Sequence, residues 1–127
     1  MKYTAYVVPA RRQDPIQQIE VDDDTTFSDI IFKGAETGTR FVGMSAMPRA
    51  KVQFVYDDMG LYRSDAIHNL NTRMMDLWGT LLGVPSDDIT PLVGTFIVMG
   101  LNPYTGETQD VPVTVEVWVE LQRPQDG

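Results

Sequence analysis

The stretch Val111-Pro112-Val113-Thr114-Val115-Glu116-Val117-Trp118-Val119-Glu120-Leu121 alternates without a break. In an extended chain Val111, Val113, Val115, Val117, Val119 and Leu121 share one face, and Pro112, Thr114, Glu116, Trp118 and Glu120 the other. A period of two carried by β-branched residues predicts a long half-buried strand. Its valine face belongs in a core. Its Glu-Trp-Glu face is either covered by a second layer or offered to a partner, and Glu116, Trp118 and Glu120 are the candidate partner-binding residues, since an aromatic between acids suits a protein interface.

Working outward from this segment, residues 92–99 form a mostly apolar run that predicts an interior strand. The connection through Asn102-Pro103 and Thr105-Gly106 has hairpin-loop chemistry, so the two strands are expected to pair antiparallel. Upstream, residues 2–8 and 17–21 read as strands joined by a polar turn with Pro9 and Pro15. Two further strands are expected at 39–44 and 51–56. A short helix follows the aspartates, with Phe27, Ile30 and Ile31 on one face, Thr26 as N-cap and Gly34 as terminator. Ile67, Leu70, Met74, Leu77, Trp78 and Leu81 recur at helical spacing, which predicts a helix of about four turns with Ser64 as N-cap and Gly83 and Pro85 as stops. The expected fold is therefore α+β: an antiparallel or mixed sheet of five to six strands with one short and one longer helix packed on it, in a single domain spanning 1–127 with a frayed tail at 122–127.

Composition narrows the function classes. The 127 residues include 18 acidic and 10 basic side chains, a net charge of −8 that disfavours direct nucleic-acid binding and anionic membranes and matches a basic partner surface. No apolar run reaches the length of a membrane span, and the N-terminus lacks a signal-peptide pattern, so a soluble cytoplasmic protein is expected. With no cysteine, this chain has no disulfide, thiolate chemistry or cysteine-ligated metal.

Candidate chemistry is sparse. Asp22-Asp23-Asp24 fails as a calcium loop, because Phe27 stands where the loop needs glycine and Lys33 where it needs glutamate, and a solvated turn before a helix accounts for it. His68 is the one histidine and is placed on the polar side of the predicted helix, where an imidazole with no second histidine makes a poor zinc site. His68 and Arg73, with the acidic loops at Asp57-Asp58 and Asp87-Asp88, are the candidate ligand-binding residues of an alternative reading. Arg40, Arg49 and Lys51 gather positive charge, while Phe41 and Phe54 among them read as core. Met74, Met75 and Trp78 read as core filling. No nucleophile elbow or phosphate-binding loop is present, so enzyme is the minority reading and no cofactor or metal is expected.

The segment 55–61, Val-Tyr-Asp-Asp-Met-Gly-Leu, together with 92–101, Leu-Val-Gly-Thr-Phe-Ile-Val-Met-Gly-Leu, resembles a family of small uncharacterised proteins, a domain of unknown function, common in bacteriophages, plasmids and conjugative elements. Tyr6-Val7-Val8-Pro9, Ile19-Glu20-Val21-Asp22 and the helix after it extend the resemblance over roughly 2–101. It departs at the long helical stretch 69–82 and at the regular C-terminal segment. The resemblance implies a phage or mobile-element accessory protein acting in the cytoplasm of a bacterial host, and it carries no catalytic residues with it. Three functions are thus expected in order: a noncatalytic module binding a host or phage protein, self-association being compatible with it; a small-molecule or nucleotide-binding protein, conceivably an enzyme; and an acidic DNA mimic.

Overall fold

The computed structural model describes residues 1–33 and 41–123. Six strands, β1 (Tyr3–Val8), β2 (Gln17–Val21), β3 (Val42–Met47), β4 (Val52–Asp57), β5 (Phe96–Leu101) and β6 (Thr108–Gln109), build one antiparallel sheet, and three helices, α1 (Phe27–Ile31), α2 (Thr72–Leu82) and α3 (Val113–Gln122), pack on it. The class is α+β, as the element pattern predicts. The strand order is β2-β1-β5-β4-β3, with β6 paired to the end of β5 at Gly100 and Leu101. β5 lies in the middle and all six of its residues are buried, the physical reason for its unbroken apolar run. Its first residue is Phe96 rather than Leu92. The expected strand at 39–44 is observed as Val42–Met47, with Thr39 and Arg40 outside the described residues.

The terminal segment overturns its expected conformation. Val113–Gln122 is a helix, α3, and only the two residues of β6 pair with the end of β5. An α-helix turns about 100° per residue, so positions two apart lie on nearly opposite sides, and an alternating series divides into two families spaced by four. Val111, Val115 and Val119 are buried, whereas Val113, Val117 and Leu121 are exposed. Trp118, three residues after Val115, joins the buried family. A strand would leave it on the polar face; the helix places it in the core, only 5% exposed. The sheet also leaves no central position for a sixth long strand, since β5 is already flanked by β4 on one side and by β1 and β6 on the other.

Strand alternation sorts the core into two layers. Tyr6, Val8, Val52, Phe54, Phe96 and Val98 face α2 and α3, meeting Met74, Leu77, Val115, Trp118 and Val119. Ala5, Val7, Val55, Ile97 and Met99 face the other way, toward Ile31 and Phe32 at the end of α1. Thr26 precedes α1 as expected but its side chain makes no capping bond; the expected stop at Gly34 lies outside the described residues.

The longer helix starts seven residues later than an N-cap at Ser64 would place it. Residues 66–69 form a 3-10 turn with Ile67 exposed, and the N-cap of α2 is Asn71, whose Oδ1 accepts from Met74 N at 3.0 Å. Asn71 is fully buried because it does more than cap: its Nδ2 donates to Val8 O at 3.0 Å and Gly94 O at 2.8 Å, and its own N–H donates to Leu92 O at 2.7 Å. At the other end Gly83, with φ +73°, closes the helix in the left-handed conformation expected of it. Replacing Asn71 with Ala should lower stability by about 3 kcal/mol, combining a lost N-cap with two buried carbonyls left unpaired. Urea unfolding measures this; a loss under about 1 kcal/mol would show that water takes over both carbonyls.

Candidate functional site

On the α2 side of the sheet Met47 of β3 packs against the core beneath the helices, whereas the small residues Gly43 and Ser45 leave a gap beside Trp78. The gap is a cavity of about 270 Å³. Its floor consists of Ser45, Tyr56, Phe96 and Trp78; Asp58, Leu61 and Tyr62 rise on one side and residues 91–93 on the other. Register explains the floor: Ser45 lies opposite Phe54 and Gly43 opposite Tyr56, so all four point to the helix side of the sheet. Tyr56 and Phe96 stack with centroids 5.1 Å apart, and Trp78 stacks on Phe54 at 4.5 Å. The Tyr56 hydroxyl and Ser45 Oγ share a hydrogen bond of 2.7 Å, either group serving as donor. The cavity is therefore lined by aromatic side chains with the Ser45–Tyr56 hydroxyl pair and Asp58 at its margin, a mix of apolar surface and a few polar groups typical of a binding pocket.

Both walls are fixed. Residues 91–93 are tied to the start of α2 through Asn71 N to Leu92 O and through Gly94 N to Asn69 O at 2.8 Å. The opposite wall follows β4, where Arg63 donates through Nε to Asp57 Oδ2 and through Nη2 to Asp57 Oδ1 at 3.0 Å. This two-pronged bond to Asp57 raises the Arg63 pKa above its usual value. The Arg63 guanidinium also lies 5.6 Å from the centre of the Phe32 ring, so the loop is pinned to the other face of the sheet.

The residues singled out from the sequence are distributed differently. Trp118 is core: its indole Nε1 donates to Asp76 Oδ2 at 2.9 Å, which joins α3 to α2. Glu116 and Glu120 are exposed on α3, and the helix separates them from Trp118, so the three do not form one contact surface. His68 is exposed in the 3-10 turn rather than on α2, and it does not line the cavity. Arg73 is buried and holds the β1–β2 connection, donating through Nη2 to Pro9 O at 2.7 Å and Arg11 O at 2.8 Å. Burial first, and the nearby Arg12 charge second, lower its pKa. The alternative ligand pair of His68 and Arg73 is thus not assembled.

Asp22 accepts from Asp24 N and from Thr25 Oγ1, making the aspartate triplet a self-bonded turn; with Asp23 it borders a separate recess of about 40 Å³. Asp57 and Asp58 border the large cavity, and Asp87 and Asp88 border neither. Among the described residues no three His, Asp or Glu side chains gather as metal ligands. Phe41, expected in the core, is 64% exposed, whereas Phe54 is fully buried. No described helix is long and apolar enough to cross a membrane.

The cavity was not recognised from the sequence because its residues come from four separate segments. One local signal pointed to it: the small pair Gly43 and Ser45 alternating across from aromatics. Comparison with protein-family models, with curated proteins and with solved structures gives no match.

The placement of Trp118 makes a stability prediction. Trp118→Ala should cost about 3–5 kcal/mol as a core truncation, while Trp118→Phe should cost about 1–2 kcal/mol, mainly the bond to Asp76. Chemical denaturation of the two variants checks this, and an Ala variant as stable as the parent would contradict the buried position.

Proposed function

We propose that this chain is a noncatalytic binding module and that the cavity over Tyr56, Phe96 and Trp78 receives an apolar or aromatic side chain of a partner protein. The observation that carries the reading is the cavity itself: about 270 Å³, open, ring-floored and braced on both sides, it matches one large side chain in size and chemistry. Exposed Leu61 and Tyr62 continue the apolar surface beyond its mouth. The net charge of −8 speeds encounter with a basic partner and does so less as salt rises. The resemblance to phage, plasmid and conjugative-element proteins supports an accessory role in the cytoplasm of a bacterial host, with a host or phage protein as the target.

The test uses rim positions whose side chains are exposed, so that folding is spared. Tyr62→Ala combined with Leu61→Ser should weaken capture of a partner from host lysate by about tenfold or more with an unchanged unfolding transition. Equal capture by parent and variant would remove the cavity from the interface.

A second reading has its own support in the near-parallel Tyr56 and Phe96 rings, 21° apart, beside the Ser45–Tyr56 hydroxyl pair. A planar small molecule such as a nucleobase would stack there and bond to the hydroxyls. In a thermal-shift screen a nucleotide at 100 times its dissociation constant would add about 2.7 kcal/mol to stability. Absence of any shift across nucleotides, nucleosides and free bases would leave the protein-binding reading in sole possession of the cavity.

A further inference from the structure

The outer edge of β3 is a hydrogen-bonding surface with a definite polarity. Asp58 N donates to Phe41 O at 3.0 Å, and the register sets Val42 against Asp57, so Phe41 and Asp58 form a bonded pair of the antiparallel ladder. In such a ladder alternate residues direct their N–H and C=O groups to opposite sides. Gly43, Ser45 and Met47 therefore bond inward to β4, and Val42, Met44 and Ala46 direct theirs outward. Among the described residues no strand pairs with that edge.

The two edges of the sheet are treated differently. β2, at the far edge, carries Glu20 within it, follows Pro15 and runs into three aspartates, which discourages another strand from adding. β3 has no charge and no proline. Its outward Met44 is 59% exposed, and Phe41 just before it is exposed as well.

The ends of β3 carry opposite signs. At its start the Asp58 carboxylate leans over the strand, its Oδ1 only 2.9 Å from where a Cβ on Gly43 would stand, a position open to it because residue 43 is glycine. Just past its end stand exposed Arg49 and Lys51. An edge that is neutral along its length, negative at one end and positive at the other is complementary to itself run in the opposite direction. It opposes a parallel copy.

We propose that two copies of this chain pair β3 with β3 antiparallel about a twofold axis near Ser45, bringing Arg49 of each copy to Asp58 of the other. In that register Met44 of one copy lies opposite Ala46 of the second, and the outward groups of both residues bond across the axis. Val42, Met44 and Phe41 lose their exposure, and the charge contact occurs twice by symmetry. Ser45 and Asp58 also border the cavity, so the second copy closes its open flank and adds Arg49 to its rim. A local match of sign at both ends offsets part of the mutual repulsion of two chains of charge −8. An extended basic segment of another protein, or residues 34–40 of the same chain, are the competing occupants of the edge.

Sedimentation equilibrium on the full chain tests the arrangement. The parent should be a reversible dimer at about 100 µM, and Met44→Lys should weaken the dimer by about tenfold or more, because lysine on an edge strand blocks pairing. Arg49→Glu and Asp58→Arg should each weaken it, and the double variant Arg49→Glu with Asp58→Arg should recover most of the loss. Circular dichroism confirms that each variant is folded. A parent that stays monomeric at that concentration, as expected if either competing occupant holds the edge, overturns the proposal. So does a dimer indifferent to Met44→Lys, or a double variant no better than the two single ones.

Discussion

Asn71 is where the parts of this molecule meet. A single buried amide caps α2, bonds to the last residue of β1 and to the turn that enters β5, and its backbone N–H holds the preceding loop. Few side chains can serve all of these: one carbonyl oxygen must accept from the helix while two amide hydrogens reach separate backbone oxygens. Arg73, two residues on, adds bonds from the same helical turn to the connection after β1. Together they lock the start of α2 over one end of the sheet. Hydrophobic contact through Met74 and Leu77 then completes a docking whose direction the polar bonds have already set.

The cavity is a consequence of that docking. Because Asn71 holds Leu92 and Gly94, residues 91–93 become a wall rather than a free loop, and between that wall and the residue 58–62 segment the small Gly43 and Ser45 of β3 leave space beside Trp78 of α2. Trp78 then sits at the boundary, stacked on Phe54 and forming one side of the floor. On the opposite face of the sheet, Phe32 and the Arg63–Asp57 pair restrain the second wall. A binding surface held in this manner loses little freedom when occupied, which favours affinity from a small contact area.

The interior strand, the first hairpin and the stop at Gly83 were all legible, because each rests on local physics: an unbroken apolar run, turn residues and a left-handed glycine. The cavity was legible only in fragments. Trp78 reads as core filling and Tyr56 and Phe96 as positions within strands, and nothing local says that the layer above them ends. Arg73 reads as a ligand-binding candidate and nothing local marks Asn71 as an N-cap, yet both are buried, since the carbonyls they bond to lie more than twenty residues away, at the end of β1, in the connection after it or in the approach to β5.

The segment 111–121 separates what the sequence determined from what the tertiary structure decided. Its residues established that half of it would be buried and that its valines would supply that half. They did not establish period, because valine at every second position divides into a buried and an exposed family when wound into a helix, and local propensity favoured the strand. The sheet made the choice: β5 was already flanked by β1, β4 and β6, and the open position lay above it, beside α2. In that position a helix brings Val115, Trp118 and Val119 into one core and gives the Trp118 indole its partner in Asp76. A strand would have left Trp118 on the face opposite its valines, away from Asp76.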